Sequence, residues 1–249
     1  MTLPMASFGM IMKRFITIIV VMFLTSWYPL GHTQTRFGES LCQTSDFTCV
    51  TVKPEDSWES LFPNEQEQDI VRRINRMNIS LRAGMTIAVP KNISRITIYD
   101  VSPFPRYIEP SGEKTIYVNQ KLLAWGAYDD QGELVWWGPI SSGSGHCKGI
   151  DGSCITPSGD FRVIRKQDID CISTVFPVRA DGMSGGAIMP YCMHFLRGFA
   201  LHGSDSVPGY RASHGCVRMF IEDARWLNEE FITLPGGDSK GTRVIIDAV

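Results

Sequence analysis

Seven cysteines are the feature that most constrains how this chain can fold, because every disulfide fixes two segments side by side. The chain has 249 residues. Six of the seven cysteines fall into pairs that are close in sequence: Cys42 with Cys49, Cys147 with Cys154, and Cys171 with Cys192. Cys216 is left over. In an oxidising compartment an unpaired cysteine is either reactive or bonded to another chain. We therefore predict three local disulfides and a free thiol at Cys216, although six cysteines also permit other pairings.

The N-terminus has the pattern of an export signal. Lys13 and Arg14 precede an apolar run over residues 15–24, and polar residues follow. A run of this length is too short to span a bilayer comfortably. We predict a signal peptide over residues 1–35, with Met12 as the alternative start, and an uncleaved anchor as the alternative reading. Both place the folded part outside the cytoplasm, in the periplasm or cell envelope.

Composition sets limits on the rest of the chain. Apolar residues make up 43% of it and the net charge is −2. A chain of this length can bury one ordinary core and a smaller satellite domain. No long basic run occurs, so nothing points to a nucleic-acid partner. We expect two folded domains, over residues 36–92 and 93–249.

The first of these has a strand-helix-helix-strand pattern. Val50–Val52 suits a short strand, and Asp56 or Ser57 suits a helix N-cap before Trp58. A second helix is predicted over Glu65–Met77 from its apolar spacing, and a strand over Met85–Pro90 follows. This order resembles a LysM domain, a module that binds N-acetylglucosamine-containing glycans. The alternative is a small packing domain without glycan affinity.

The second domain is predicted to be mainly β with a few helices, an α+β fold. Short β-rich runs recur with turn residues between them, and we predict strands over 96–99, 114–118, 122–125, 134–137, 161–164 and 243–246. Asp129–Gly132 reads as a hairpin turn. A single clear helix is predicted over Glu222–Phe231, with apolar residues on one face.

The candidate catalytic residues lie in two short segments, Leu201–Ser204 and Ser213–Arg218. A cysteine follows a glycine, with histidines on both segments and no second cysteine at CxxC spacing. A thiol is a good nucleophile as thiolate, and a neighbouring imidazole is the usual means of producing it. The pattern predicts a cysteine acyl-transfer site.

These segments resemble the signature of the YkuD family of L,D-transpeptidases, of the ErfK/YbiS type. Thr156–Phe161 is similar to that family's TPxGxF strand entry, and Met189–Tyr191 with Phe199–His202 is similar to its substrate-side segment. The resemblance spans roughly residues 93 to 249. It implies a β-sandwich-like catalytic fold behind a small βααβ LysM-like domain.

The resemblance also implies a role for each matching residue. Cys216 would be the nucleophile and His202 the proton donor and acceptor, with the Gly203 carbonyl orienting the imidazole. The loop at His214 and Gly215 would supply backbone N–H groups to an oxyanion hole. The substrate-binding candidates are Arg218, Ser213 and Tyr191.

The expected activity is acyl transfer on peptidoglycan. The family chemistry implies a thioester with a tetrapeptide stem and transfer to an amine, either of another stem or of an envelope lipoprotein. No metal or organic cofactor is expected, and no stable membrane insertion after signal cleavage. The open alternatives are an L,D-carboxypeptidase that uses water, and a non-catalytic peptidoglycan-binding protein.

Two further alternatives concern the motif itself. Cys216 could be a buried inert thiol beside core histidines, because free cysteine packs well in protein interiors. Cys216, His202 and His214 could also form a zinc site, although no acidic or fourth ligand accompanies them.

Overall fold

The computed structural model describes residues 35–147, 153–176 and 185–249. The predicted signal peptide lies outside these residues, apart from Thr35. The helices are α1 (Phe37–Leu41), α2 (Trp58–Leu61), α3 (Glu65–Ile74) and α4 (Ile221–Trp226), with a 3-10 helix at Ile93–Arg95 and a π-helical segment at Leu227–Phe231. None of the helices in these ranges is long and apolar enough to cross a membrane.

The strands are short and are distributed over the whole described chain. They are β1 (Phe47–Thr51), β2 (Thr86–Pro90), β3 (Thr115–Asn119), β4 (Ala124–Tyr128), β5 (Leu134–Ser141), β6 (Gly145–His146), β7 (Ser153–Cys154), β8 (Gly159–Arg162), β9 (Arg165–Lys166), β10 (Met193–Leu196), β11 (Phe199–Gly203), β12 (Val217–Met219), β13 (Pro235–Gly236), β14 (Ser239–Lys240) and β15 (Arg243–Ile246).

The N-terminal part has the predicted strand-helix-helix-strand order. Strands β1 and β2 pair antiparallel, and α2 and α3 lie between them in the chain. Ser57 is the N-cap of α2, because its hydroxyl accepts a hydrogen bond from the Ser60 N–H and the Ser60 hydroxyl accepts one from the Ser57 N–H. Trp58 packs below this cap, and its Nε1 donates to the Ile79 carbonyl at 2.9 Å. The likeness to LysM and the domain boundary at residue 92 remain predictions.

A nine-stranded sheet forms the larger part of the described molecule. Its order is β8-β15-β3-β4-β5-β12-β11-β10-β9, and the pairs are antiparallel except β15–β3 and β11–β12. The sheet curls, so that Phe161 of β8 packs on Phe195 of β10 with ring centroids 5.3 Å apart. The curled sheet encloses an apolar core that α4 and the π-helical segment cover. The predicted class, mainly β with a few helices, is confirmed.

Most of the predicted strands are present, but the one over 96–99 is wrong. This segment forms turns after the 3-10 helix at Ile93–Arg95. The Asp100 carboxylate accepts hydrogen bonds from the N–H and hydroxyl of Thr97, at 2.7 and 2.8 Å. A side-chain acceptor of this kind competes with a strand ladder for the backbone, and here it prevails.

Arg73 and Asp223 join the N-terminal part to the curled sheet. The Arg73 guanidinium donates to both carboxylate oxygens of Asp223, at 3.0 and 2.9 Å, and also to Asp69 and to the Trp137 carbonyl. Trp136 Nε1 donates to the same Asp223 carboxylate at 2.9 Å. Arg73 and Asp223 are 2% and 1% exposed. The network satisfies two buried charges that would be costly alone.

Gly138 makes room for this network. A Cβ at this position would lie 2.1 Å from an Asp223 carboxylate oxygen and 2.8 Å from Trp125 Nε1. Only a residue without a side chain permits that approach.

A second contact holds the loop between β11 and β12. The Asn78 amide donates to the Ser204 carbonyl at 2.7 Å and accepts from the Val207 N–H at 2.9 Å. Met77 forms an isolated bridge with Pro208. Adjacent parallel strands need a long connection between them, and here the N-terminal part buttresses that connection.

We predict that Arg73→Met lowers the free energy of unfolding by about 3–5 kcal/mol, because it leaves the buried Asp223 carboxylate without its cation. Urea denaturation of the purified protein measures this loss. The matched control is Arg225→Met on α4, the helix that carries Asp223, since Arg225 and its partner Glu229 are solvent-exposed. That change should cost at most about 1 kcal/mol. Equal losses in the two variants would contradict the role of the buried network.

Candidate active site

A cavity of about 870 Å³ opens on the face of the sheet formed by β10, β11 and β12. It lies beside the only free cysteine of the described chain, Cys216. The other six cysteines form the three predicted disulfides, Cys42–Cys49, Cys147–Cys154 and Cys171–Cys192. Cys154 and Cys171 also line the cavity, so two of the disulfides stabilise its walls.

Strand register places the two catalytic candidates on one face. In the parallel pair β11–β12, His202 lies opposite Arg218 and Leu201 lies opposite Val217. Side chains alternate along a strand, so Leu201 and Val217 point into the core while His202 and Arg218 face the cavity. Cys216 precedes β12 by one residue and shares the face of Arg218. All three cavity-facing residues line the pocket.

The hydrogen bond of His202 fixes its tautomer. Its Nδ1 lies 2.8 Å from the Gly203 carbonyl oxygen. Because a carbonyl can only accept, Nδ1 carries the proton and Nε2 is left as a free acceptor. Burial lowers the pKa of His202 to about 4, and Arg218 acts in the same direction. The imidazole is therefore neutral near pH 7 and can take a proton at Nε2.

Cys216 lies directly before β12, the strand that pairs with the His202 strand β11. Its Sγ is 3.7 Å from the Gly198 carbonyl oxygen. Burial raises the pKa of the Cys216 thiol, although the Ala200 backbone and the Arg218 charge partly oppose the shift. The raised thiol pKa and the lowered imidazole pKa favour a neutral pair before substrate binds. Cys216 is therefore a protonated thiol before the reaction, and it loses its proton while the sulfur attacks the substrate.

The turn that carries Cys216 is braced from two sides. The Ser213 hydroxyl donates to the Cys216 carbonyl at 2.5 Å and accepts from the Gly215 N–H at 3.1 Å. Thr156 Oγ1 donates to the Gly215 carbonyl at 2.7 Å and accepts from the Gly143 N–H. Sequence reasoning gave no role to Thr156, although the TPxGxF resemblance was a signal for it. Its hydroxyl holds the nucleophile's turn in place.

Gly215 itself is required by backbone shape and by space. Its φ is +122°, where side chains are rarely accommodated. A Cβ there would lie 2.7 Å from the ring of Phe199. The turn therefore rests directly on Phe199, which also lines the cavity.

The remaining candidates divide between the cavity and the core. Arg218 and His214 line the cavity, and the His214 ring packs on Phe176 with centroids 5.0 Å apart. Ser213 borders the cavity, but it is buried and its hydroxyl is committed to the turn. Tyr191 lies in the main core and is not among the cavity-lining residues. The substrate contact of Tyr191 stays a prediction.

A further histidine, which sequence reasoning missed, lies in the same cavity. His194 on β10 is 4% exposed and lines the pocket. No sequence motif marks it, because it reaches the site only through strand pairing. Across the described ranges, no group of three or more His, Cys, Asp or Glu side chains is placed to hold a metal ion.

The comparisons with known proteins agree on one family. Residues 113–246 match the family model for the YkuD L,D-transpeptidase catalytic domain, which is more than half of the chain. The chain belongs to the YkuD family. It is a cysteine L,D-transpeptidase, and the family implies peptidoglycan stem peptides as its substrate class.

The chain is also similar to solved structures. An L,D-transpeptidase (residues 123–326) from Xylanimonas cellulosilytica is 25% identical with a TM-score of 0.50, covering 73% of this chain and 79% of that chain. An L,D-transpeptidase from Mycobacterium smegmatis is 20% identical with a TM-score of 0.42, covering 55% and 59%. L,D-transpeptidase 3 from Mycobacterium tuberculosis, in complex with a faropenem-derived adduct, is 19% identical with a TM-score of 0.41, covering 54% and 60%. A search of curated proteins finds no match.

We predict that Cys216 of this L,D-transpeptidase reacts with an alkylating reagent as a thiol whose pKa is equal to or above the usual thiol value. The rate with iodoacetamide should keep rising as pH increases through about 8.5, the usual thiol pKa, because burial raises the pKa of Cys216. Intact-protein mass at a series of pH values measures this rate. His202→Gln should change the rate little near pH 7, where the neutral pair holds no thiolate. A rate plateau near pH 6 that His202→Gln abolishes would instead indicate a standing thiolate–imidazolium pair.

We predict that Thr156→Val slows acylation of Cys216 by about fivefold or more, because a lost hydrogen bond to a buried partner costs about 1–3 kcal/mol. Thr156→Ser keeps the donor hydroxyl and should retain most of the rate. The measurement is single-turnover formation of the acyl adduct, followed by intact mass. If both variants react at the wild-type rate, the brace on Gly215 has no catalytic consequence.

Proposed function

We propose that this enzyme is exported and forms a Cys216 thioester with a peptidoglycan tetrapeptide stem. The observation that carries the proposal is the imidazole of His202, held by the Gly203 carbonyl on the same cavity face as the free thiol of Cys216. The base acceptor at Nε2 is directed away from the Gly203 bond. A pair of this kind is the minimum that a cysteine acyltransferase needs.

In the acylation step, Cys216 Sγ attacks the carbonyl carbon of the stem's third residue. The thiol proton passes to His202 Nε2, and a tetrahedral oxyanion forms. The C–N bond to the terminal D-alanine then breaks, and the imidazolium returns the proton to the leaving amine. The product is a thioester, and His202 is neutral again.

Backbone donors of the Cys216 turn stabilise the oxyanion. Because the Gly215 N–H already donates to the Ser213 hydroxyl, the oxyanion hole falls on the N–H groups of His214 and Cys216. Donors of this type each contribute about 3 kcal/mol to the transition state. The positive φ of Gly215 permits the tight turn on which both N–H groups lie.

In the second step, an acceptor amine attacks the thioester carbonyl. Its proton passes to His202 Nε2, the C–S bond breaks, and the Cys216 thiolate recovers the proton. An amine of a second stem gives a cross-link between third residues, and a lysine of an envelope lipoprotein gives protein attachment. Arg218 supplies a planar donor fork at the cavity for a carboxylate of the peptide.

Export and glycan binding belong to the same proposal. Three disulfides support an oxidising compartment such as the periplasm, because they persist there and are rare in the cytosol. The strand-helix-helix-strand order of residues 47–90 supports a LysM-like role in binding peptidoglycan. Sedimentation of the Cys216→Ala protein with isolated sacculi tests this binding without turnover.

The decisive experiment incubates the purified protein with disaccharide-tetrapeptide and follows the products and the intact protein mass. We predict a dimer linked between third residues, and an acyl adduct on Cys216. Cys216→Ala should form neither, while Cys216→Ser should bind the peptide and turn over at most slowly. Turnover retained in Cys216→Ala would refute the mechanism.

Other outcomes separate the alternative activities. Tripeptide alone would identify water as the acceptor, and thus an L,D-carboxypeptidase. No product and no adduct, with Cys216 reduced and reactive, would favour a non-catalytic peptidoglycan-binding protein.

A further inference from the structure

Strand pairing places His194 in a row with the nucleophile. His194 on β10 lies opposite Arg165 on β9 and opposite Ala200 on β11. The next residue pair, Leu201 and Val217, places Ala200 opposite Cys216. Residues directly opposite each other in a sheet share a face. Arg165, His194, Ala200 and Cys216 therefore form one row across four neighbouring strands, on the cavity side.

The small side chain of Ala200 leaves space between His194 and the thiol. Neighbouring strands lie about 4.8 Å apart, so the backbones of His194 and Cys216 are separated by about 10 Å. His202 lies one row further along, beside Arg218. Both imidazoles therefore lie on the same side of the Cys216 strand, His202 on the adjacent strand β11 and His194 one strand further away, across Ala200.

The two imidazoles have opposite hydrogen-bonding character. His202 has its proton on Nδ1 and presents an acceptor at Nε2. His194 Nδ1 is buried with no hydrogen-bond partner, so nothing there stabilises an N–H. The proton is therefore favoured on Nε2, and His194 presents a donor. Burial and the charge of Arg165 lower the pKa of His194 to about 4, which keeps the ring neutral near pH 7.

Charge at this end of the cavity is provided by Arg165. It is solvent-exposed, lines the cavity, and makes no ion pair within the described ranges. Asp168 and Asp170 also line the cavity, and Arg165 is the charged residue of the described ranges whose field, after burial, lowers the pKa of His194. The corner beside His194 thus combines one buried neutral donor with one free cation.

We propose that His194 and Arg165 form a carboxylate-binding subsite for the peptide, across Ala200 from the thiol and distinct from Arg218. A carboxylate accepts from a neutral N–H and pairs with a guanidinium, which matches the two groups present. The inference depends on the proposed function, since the ligand is a stem peptide. The carboxylate belongs either to the acyl donor or to the amine acceptor.

Paired variants test the subsite with defined probes. Arg165→Gln removes the charge and Arg165→Lys keeps it. His194→Leu removes the donor and His194→Gln keeps an N–H at similar reach. The probes are disaccharide-tetrapeptide as donor and the corresponding tripeptide as acceptor, each with its free carboxylates or with one of them converted to the carboxamide.

We expect Arg165→Gln and His194→Leu to lower kcat/KM about tenfold for the carboxylate probe, mainly through KM, as for one lost charge-assisted hydrogen bond. With the matching carboxamide, each variant should lose less than about twofold, because the interaction is already absent. Arg165→Lys and His194→Gln should recover most of the loss. If the two residues had only a structural role, the variants would lower kcat/KM equally for the carboxylate and the carboxamide probe.

The step affected identifies the source of the carboxylate. A loss in single-turnover acylation without acceptor assigns the subsite to the donor stem, and a loss only in transfer assigns it to the acceptor. Equal losses for carboxylate and carboxamide at every position would overturn the subsite. That result is distinguishable from failure of the proposed function, in which the wild-type protein would form no Cys216 adduct at all. Thermal unfolding of each variant shows whether it is folded.

Discussion

The site depends on the parallel pairing of β11 with β12. This register puts His202 beside Arg218 and brings Cys216 to the same cavity face. A slip of one residue would turn His202 or Arg218 into the core, because side chains alternate along a strand. Register is strongly specified here, since Leu201, Val217 and Met219 on the other face are wholly buried. The apolar core thus fixes the catalytic geometry.

A parallel pair within a mostly antiparallel sheet requires a long connection, and the molecule holds that connection at several points. Asn78 and Met77 fasten its first half. Ser213 and Thr156 fasten the turn before β12. Backbone groups on this connection would otherwise be free to move, and a displacement of about 1 Å at a catalytic group can cost a large factor in rate.

Electrostatics at the site favour a neutral resting state. Burial raises the pKa of Cys216 and lowers that of His202 to about 4. Burial penalises charge on either group, so the ion pair forms only when the reacting peptide supplies compensating interactions. The Gly203 carbonyl, a neutral acceptor, orients the imidazole, and it raises the pKa of His202 by less than burial lowers it.

The sequence by itself predicted the disulfide pairs, the free thiol at Cys216 and the mainly β class, which the structure confirms. These features depend on short segments with specific residue types, and the catalytic role of His202 stays a prediction. The strand predicted over 96–99 is wrong, because the Asp100 carboxylate makes a turn there. Only the tertiary structure decided the Arg73–Asp223 network, the Thr156 brace and the position of His194. These contacts join residues far apart in the chain. An arginine, threonine or histidine that becomes buried beside a distant partner has the same local sequence pattern as one that stays in solvent.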